Sequence, residues 1–230
     1  MISILHRDER LLVVNKPAGL MTHRSQVAPD RDVVLQRVRD QIGARVWPLH
    51  RLDRGTSGAL AFALSAEAAS ELGRQLMQGE VKKQYLALVR GAPQEAIDLE
   101  YAIPRSEHGE RVPARTSFRR LRDFGFCSLV LAEPETGRYH QVRRHLSHLR
   151  HPIAGDTRYG TGWFNRKVRT ELGIERLVLH ASALAFAAGS RPPLTVRAPL
   201  AEDFRQALST LGLDAAGLEE LCPLPSAANA

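Results

Sequence analysis

The sequence predicts one α+β domain, and three observations carry that prediction. Short apolar or alternating runs at 2–6, 11–15, 46–49, 59–64, 82–91 and 126–132 have the length and pattern of strands. Between them, residues 32–42, 66–78 and 142–149 repeat apolar side chains at helical spacing. The chain has 230 residues, 43% of them hydrophobic, which suits a globular domain with one sizeable core.

The first two strands flank a turn at Asp8-Glu9, and Lys16-Pro17-Ala18-Gly19 ends the second. Two roles are open to Lys16: a phosphate contact, or a solvated turn residue. Val34, Leu35, Val38 and Ile42 share one helix face, and Gly43 is the expected stop. Ser65 is a natural N-cap for a helix over 66–78, and Gly79 follows its end. Tyr85, Ala87 and Val89 alternate with Leu86, Leu88 and Arg90, as along a strand. Residues 97–122 are expected to hold two further strands joined by a polar loop. Arg105, Arg111, Arg115, Arg119, Arg120 and Arg122 recur there without helical amphipathicity. A mobile loop reaching for nucleic-acid backbone and a solvated hairpin both fit that run. An apolar strand at 126–132 is turned by Glu133-Pro134-Glu135-Thr136-Gly137. From about Gly212 the chain is rich in Ala and Pro. The expected division is a catalytic domain at 1–211 and a peripheral tail at 212–230.

One stretch organises the chain: His50-Arg51-Leu52-Asp53-Arg54-Gly55-Thr56-Ser57-Gly58. It lies between two strand-like runs, so its single carboxylate, Asp53, falls in a tight loop between buried elements. Gly55 and Gly58 are expected to let the loop turn through positive φ. Thr56 and Ser57 are expected to tie their hydroxyls to loop amides. A carboxylate held in this way between Arg51 and Arg54 suits a nucleophile or an electrostatic anchor. An ordinary surface turn with an Asx cap is the plain alternative.

A formal net charge of +7 and a sequence pI of about 10.0 make the chain basic. Lysine occurs only at 16, 82, 83 and 167, so arginine supplies 28 of the 32 basic residues. Arginine forks pair with phosphates and stack on bases, which favours a nucleic-acid partner; base composition of the gene explains the same bias. No apolar run approaches the roughly 20 residues of a membrane helix, and Arg7, Asp8 and Glu9 rule out a signal peptide at the start. Cys127 and Cys222 form no Cys-x-x-Cys pair, which argues for a reducing compartment and against a zinc site.

A second cluster reads Gly137-Arg138-Tyr139-His140-Gln141-Val142-Arg143-Arg144-His145-Leu146-Ser147-His148-Leu149-Arg150-His151-Pro152. Val142, Leu146 and Leu149 mark one helix face. At 100° per residue, Arg143 lies beside that stripe, whereas Arg144 lies on the other side with Gln141, His145 and His148. The two arginines therefore cannot share one role. Arg143, at the edge of a buried stripe, can aim its guanidinium at an interior carboxylate and is the candidate partner of Asp53. His145, His148 and His151 are spaced by three, but no Asp or Glu lies among them and Pro152 disrupts the helix, so no metal site is expected. Asp156, in the turn after Gly155, is expected to be structural or capping.

His-Arg-Leu-Asp-x-x-Thr-Ser-Gly at 50–58 resembles the signature of the RluA-type pseudouridine synthases at every fixed position. The Asn15-Lys16-Pro17-Ala18-Gly19 turn, Lys82 to Gly91, the 137–160 segment and Leu179-His180-Ala181 resemble further elements of that family, with Val142 a mild departure. Together they cover most of residues 2–200. Arg144, Arg150, Thr22-His23-Arg24-Ser25 and residues 38–43 resemble the TruC branch, the tRNA pseudouridine-65 synthases.

The resemblance implies a pseudouridine synthase fold: a mixed, largely antiparallel sheet, flanking helices, a central catalytic cleft and no N-terminal S4 domain. It implies a cytoplasmic isomerase that acts on tRNA without cofactor, metal, membrane or obligatory protein partner. Asp53 would be the nucleophile, ionised beside Arg143. Tyr85 would stack on a flipped uridine and assist at its C5 proton. Arg51 would fill the space that the base leaves, and Arg54, His140 and Arg144 would contact RNA. The same chemistry on ribosomal RNA is the alternative within the class. A noncatalytic RNA-binding or chaperone protein is the alternative outside it.

Overall fold

The computed structural model describes residues 1–23, 32–106, 109–187 and 193–221. Arg24 and Ser25 of the tRNA-branch resemblance, Cys222 and the end of the expected tail lie outside them.

Strands β1 (Ser3–Arg7) and β2 (Leu11–Lys16) pair as a hairpin, closed where the Asp8 carboxylate accepts the Arg10 and Leu11 amides. Helix α1 (Val34–Ile42) ends at Gly43 in the left-handed region. After β3 (Trp47–Pro48) and β4 (Ser57–Ala63), helix α2 (Ala66–Gln78) starts at Ser65, whose side chain accepts the Ala68 amide, and ends at left-handed Gly79. Strand β5 (Val81–Arg90) follows. The segment expected to hold two strands holds four: β6 (Ala96–Glu100), β7 (Ile103–Pro104), β8 (Arg111–Val112) and β9 (Arg115–Asp123). Strands β7 and β8 pair only with each other, as a small hairpin outside the main sheet. Then come β10 (Cys127–Pro134), α3 (Gln141–His148), α4 (Gly162–Leu172), β11 (Leu179–Phe186), β12 (Leu194–Arg197), α5 (Glu202–Thr210) and α6 (Ala215–Leu221).

The main sheet has ten strands among the described residues, in the order β1-β2-β4-β11-β5-β10-β9-β6, with β12 on β11 and β3 on β4. Every pairing is antiparallel except β4 with β11. The expected mixed, largely antiparallel α+β fold is therefore present. Period-two alternation sorts its two faces. Ala59, Ala61 and Ala63 of β4 pack with Ala68 and Leu72 of α2, while Leu60 and Phe62 pack with Val34 and Val38 of α1. A third core joins Leu86 and Leu88 of β5 to Val142, Leu146, Phe164, Val168 and Phe204 from α3, α4 and α5.

The parallel seam dictates a glycine. Gly58 has φ +109°, and a Cβ there would lie 2.2 Å from the Ala181 carbonyl oxygen. Beyond 211, the chain still contributes to the core. Leu213 is buried, and Leu218 and Leu221 of α6 pack against the third cluster.

Candidate active site

The loop between β3 and β4 is fixed from three sides. On the β4 side, the Leu49 amide donates to the Ala61 carbonyl and the His50 Nε2 accepts the Ala61 amide, at 3.0 and 3.1 Å. Burial, and secondarily the nearby Lys83, pushes the His50 imidazole down to about 4, so the neutral acceptor form dominates at neutral pH. On the second side, buried Thr22 exchanges hydrogen bonds with both backbone groups of Leu52, each at 3.1 Å. On the third, the Gly19 amide donates to the Arg54 carbonyl and Arg54 Nε donates to the Gly19 carbonyl.

Lys16 completes the clasp and corrects both sequence-based readings of it. It is fully buried, and Nζ donates to the carbonyls of Pro17, Leu20 and Arg54 at 2.9, 2.6 and 3.3 Å. Burial lowers its ammonium to about 7, against the opposing pull of Asp53. Lys16 is thus neither a solvated turn residue nor aimed at a phosphate. Within the loop, the Thr56 amide closes a turn onto the Asp53 carbonyl. The hydroxyls do not bind loop amides as expected. Ser57 Oγ meets His180 Nδ1 at 2.9 Å, and the Thr56 hydroxyl is buried without a partner among the described residues. Gly55 does not adopt positive φ; a side chain there would press on Leu177.

Helix α3 supplies the partner of Asp53. Arg143 donates from Nη1 to Asp53 Oδ2 at 3.0 Å, and from Nε and Nη2 to Asp156 at 2.8 and 2.9 Å. Burial would lower the Arg143 guanidinium, but Asp156 and then Asp53 outweigh it and hold the group above its ordinary value. For Asp156, whose side chain is 0% exposed, burial alone would raise the carboxyl. Arg143 and the Tyr159 and Arg158 amides reverse that and hold it below the ordinary range. Asp156 is itself fixed by Gly155, at φ +72°, where a Cβ would lie 1.8 Å from the Arg176 carbonyl.

Asp53 lines a cleft of about 820 Å³ with Arg51, Lys83, Tyr85, Arg138, Tyr139, His140 and Arg143. Arg51 is exposed at its mouth. Burial, and then Asp53, raises the Tyr85 phenol well above its ordinary value, so it stays protonated. His140 sits at the helix start with φ 54°, its Nε2 3.6 Å from Asp53 and its Nδ1 3.1 Å from the Tyr159 hydroxyl. Burial pushes it down to about 4.

Arg54 and Arg144 do not line the cleft. Arg144 lies over the rings of Tyr139 and Tyr159, each 5.5 Å away, with a buried Nε that has no partner among the described residues. The three spaced histidines diverge: His145 bonds Thr116 and the Tyr101 carbonyl, His148 stacks on Tyr101 at 3.7 Å, and His151 meets the Arg90 carbonyl. The β7–β8 hairpin sets Arg105 and Ser106 against the cleft, and Arg138 Nε reaches its base at the Pro113 carbonyl.

Lys16, Thr22, His50 and Lys83 all stood inside segments that the sequence singled out, but sequence reasoning gave none of them its place at this site, because the groups they meet in the fold lie elsewhere in the chain.

Residues 10–148 match the family model described as RNA pseudouridylate synthase. The chain is 42% identical to a tRNA pseudouridine synthase C of Vibrio cholerae over 92% of its own length and 96% of that protein's. It is 41% identical to the protein of that name in Salmonella typhimurium, covering 92% and 90%. Among solved structures, human RNA pseudouridylate synthase domain containing 4 superposes with a TM-score of 0.75 at 28% identity, covering 91% of this chain and 93% of that one.

Proposed function

The chain belongs to the RNA pseudouridylate synthase family, an isomerase family, and from that premise we propose that it converts a uridine of tRNA to pseudouridine, at position 65 in the T-stem. The observation that carries this reading is Asp53, held in the cleft by the Arg143 guanidinium that Asp156 orients. The tRNA substrate rests on the resemblance to tRNA pseudouridine synthase C proteins over most of the chain.

The isomerisation breaks the N1–C1′ bond and joins C5 to C1′. One proton leaves C5, N1 gains one, and no electrons are lost, so no redox partner is needed. Asp53 acts as the nucleophile. Arg143 aims it, bridging it to Asp156. A base inside a stem is out of reach, so the uridine is flipped, at a cost of a few kcal/mol. Arg51, exposed at the mouth of the cleft, takes the vacated place. Tyr85 provides the ring on which the flipped base stacks. Its protonated phenol is a poor base, so removal of the C5 proton falls to another group. Arg144, half-buried and paired with no carboxylate among the described residues, meets a backbone phosphate, as do Arg54 and Arg138.

The test is purified protein with tRNA transcripts tritiated at uridine C5. Tritium release, followed by mapping of the product to position 65, supports the reading. Release only from ribosomal RNA would keep the chemistry and change the substrate. RNA binding that survives Asp53→Ala without any release would favour a noncatalytic binding protein.

A further inference from the structure

Detaching uracil from ribose leaves the electron pair of the broken N1–C1′ bond on the ring, where it spreads over O2 and O4. Attack at C6, or elimination, also loads charge onto the ring carbonyls. The cleft must meet that charge.

Its cations are not equivalent. Arg143 is committed to Asp53 and Asp156. Arg51, Arg105 and Arg138 are exposed at the rim. Lys83 is different: it lines the cleft, is only 8% exposed, and has no carboxylate partner among the described residues. It sits two residues before Tyr85 on β5, so both side chains leave the same face of the strand, about 7 Å apart along it. Glu133, the nearest acid on the paired strand, accepts instead from Gln84, at 3.0 Å. The single hydrogen bond of the Lys83 Nζ is long, 3.4 Å to the Thr136 carbonyl. The amine thus lies by His50 and by the Thr136-Gly137 turn, on the face of β5 that carries Tyr85. A buried amine held this loosely is a donor awaiting an acceptor.

Building on the function proposed above, we infer that Lys83 is a further catalytic residue, whose ammonium contacts a carbonyl oxygen of the flipped uracil and stabilises the negative charge on the ring while it is detached from ribose. No proton transfer is required of it. The N1–C1′ pair stays with the ring, C5 then donates a pair to C1′, and the C5 proton leaves as N1 gains one. Burial, with Lys82 adding to it, lowers Lys83 to about 8, so the amine is mostly charged at neutral pH.

The experiment compares wild type, Lys83→Met and Lys83→Gln in single turnover on tRNA transcripts made with uridine or with 5-fluorouridine, following the transfer of ribose C1′ from N1 to C5; a fluorinated C5 has no proton to lose, so its product keeps the fluorine and takes up water across N1–C6. Fluorine withdraws electrons and stabilises the ring anion, so the substituted ring depends less on the ammonium. The variants should slow conversion of uridine by roughly 10²–10³-fold, the effect typical of removing one charge-stabilising donor. Conversion of 5-fluorouridine should slow at least about tenfold less, and tRNA affinity should stay within about twofold. A merely structural lysine would slow both substrates equally or act through affinity, and either result overturns the inference, as would unchanged rates. Wild type inert toward every uridine transcript would instead refute the functional reading, and the inference with it.

Discussion

Arg143 donates Nη1 to Asp53 at 3.0 Å while closing a two-bond fork on Asp156 at 2.8 and 2.9 Å. One guanidinium therefore joins the cleft carboxylate to a fully buried one. Replacing Asp156 with Ala leaves a buried cation half-paired. Breaking such a pair costs about 3–5 kcal/mol, so urea unfolding should show a loss of that size. Arg143→Lys keeps the charge but cannot bridge both acids. Its kcat should fall on the order of 100-fold with a smaller stability loss, because the fork itself carries the aim of Asp53.

Lys16→Met tests the clasp beneath the loop. Three carbonyls lose a donor, Arg54's among them. A loss of about 1–3 kcal/mol is expected by urea unfolding, together with a lower kcat, since the Asp53 loop loses the donor that completes its clasp. A drop in tRNA affinity with unchanged kcat would mark Lys16 as a phosphate contact instead.

Gly58→Ala should be among the most damaging small substitutions. The new methyl would meet the Ala181 carbonyl at 2.2 Å, in a strand that cannot retreat from its parallel neighbour, at a φ of +109°. A cost on the order of 3 kcal/mol or more is expected, read as a collapse of thermal stability.

Stability should also fall with acid. His180 is fully buried: Nδ1 faces Ser57 Oγ, Nε2 faces the Ala198 carbonyl, and burial pushes it down to about 4. The unfolded chain takes up this proton near pH 6.5, the folded chain only near 4. The contribution is therefore present above 6.5 and lost as the pH falls toward 4, by up to about 3 kcal/mol. Urea titrations at pH 7.5 and 4.5 should show a smaller pH difference for His180→Gln than for wild type. His50 and His140 shift in the same direction.

What the sequence revealed follows from the range of each interaction. Helix α2, with its Ser65 cap and Gly79 stop, was legible in full, because caps are local chemistry. The Arg143–Asp53 contact was legible because helical phase alone placed Arg143 at the edge of a buried stripe. Lys16 was not, since its burial depends on Arg54, 38 residues away. The Ser57 hydroxyl turned to His180, 123 residues distant, across a parallel pairing that no local pattern announces. The β7–β8 hairpin was hidden by its brevity: two-residue strands carry no periodicity.

The most direct test of the central claim maps pseudouridine in tRNA from cells lacking this gene, rescued with wild type or with Asp53→Asn, which preserves shape and removes the charge. Loss of pseudouridine at position 65, restored by wild type and not by Asp53→Asn at equal protein level, is the predicted result. Restoration by Asp53→Asn would contradict the role assigned to this carboxylate, and an unchanged tRNA in the deletion strain would contradict the substrate.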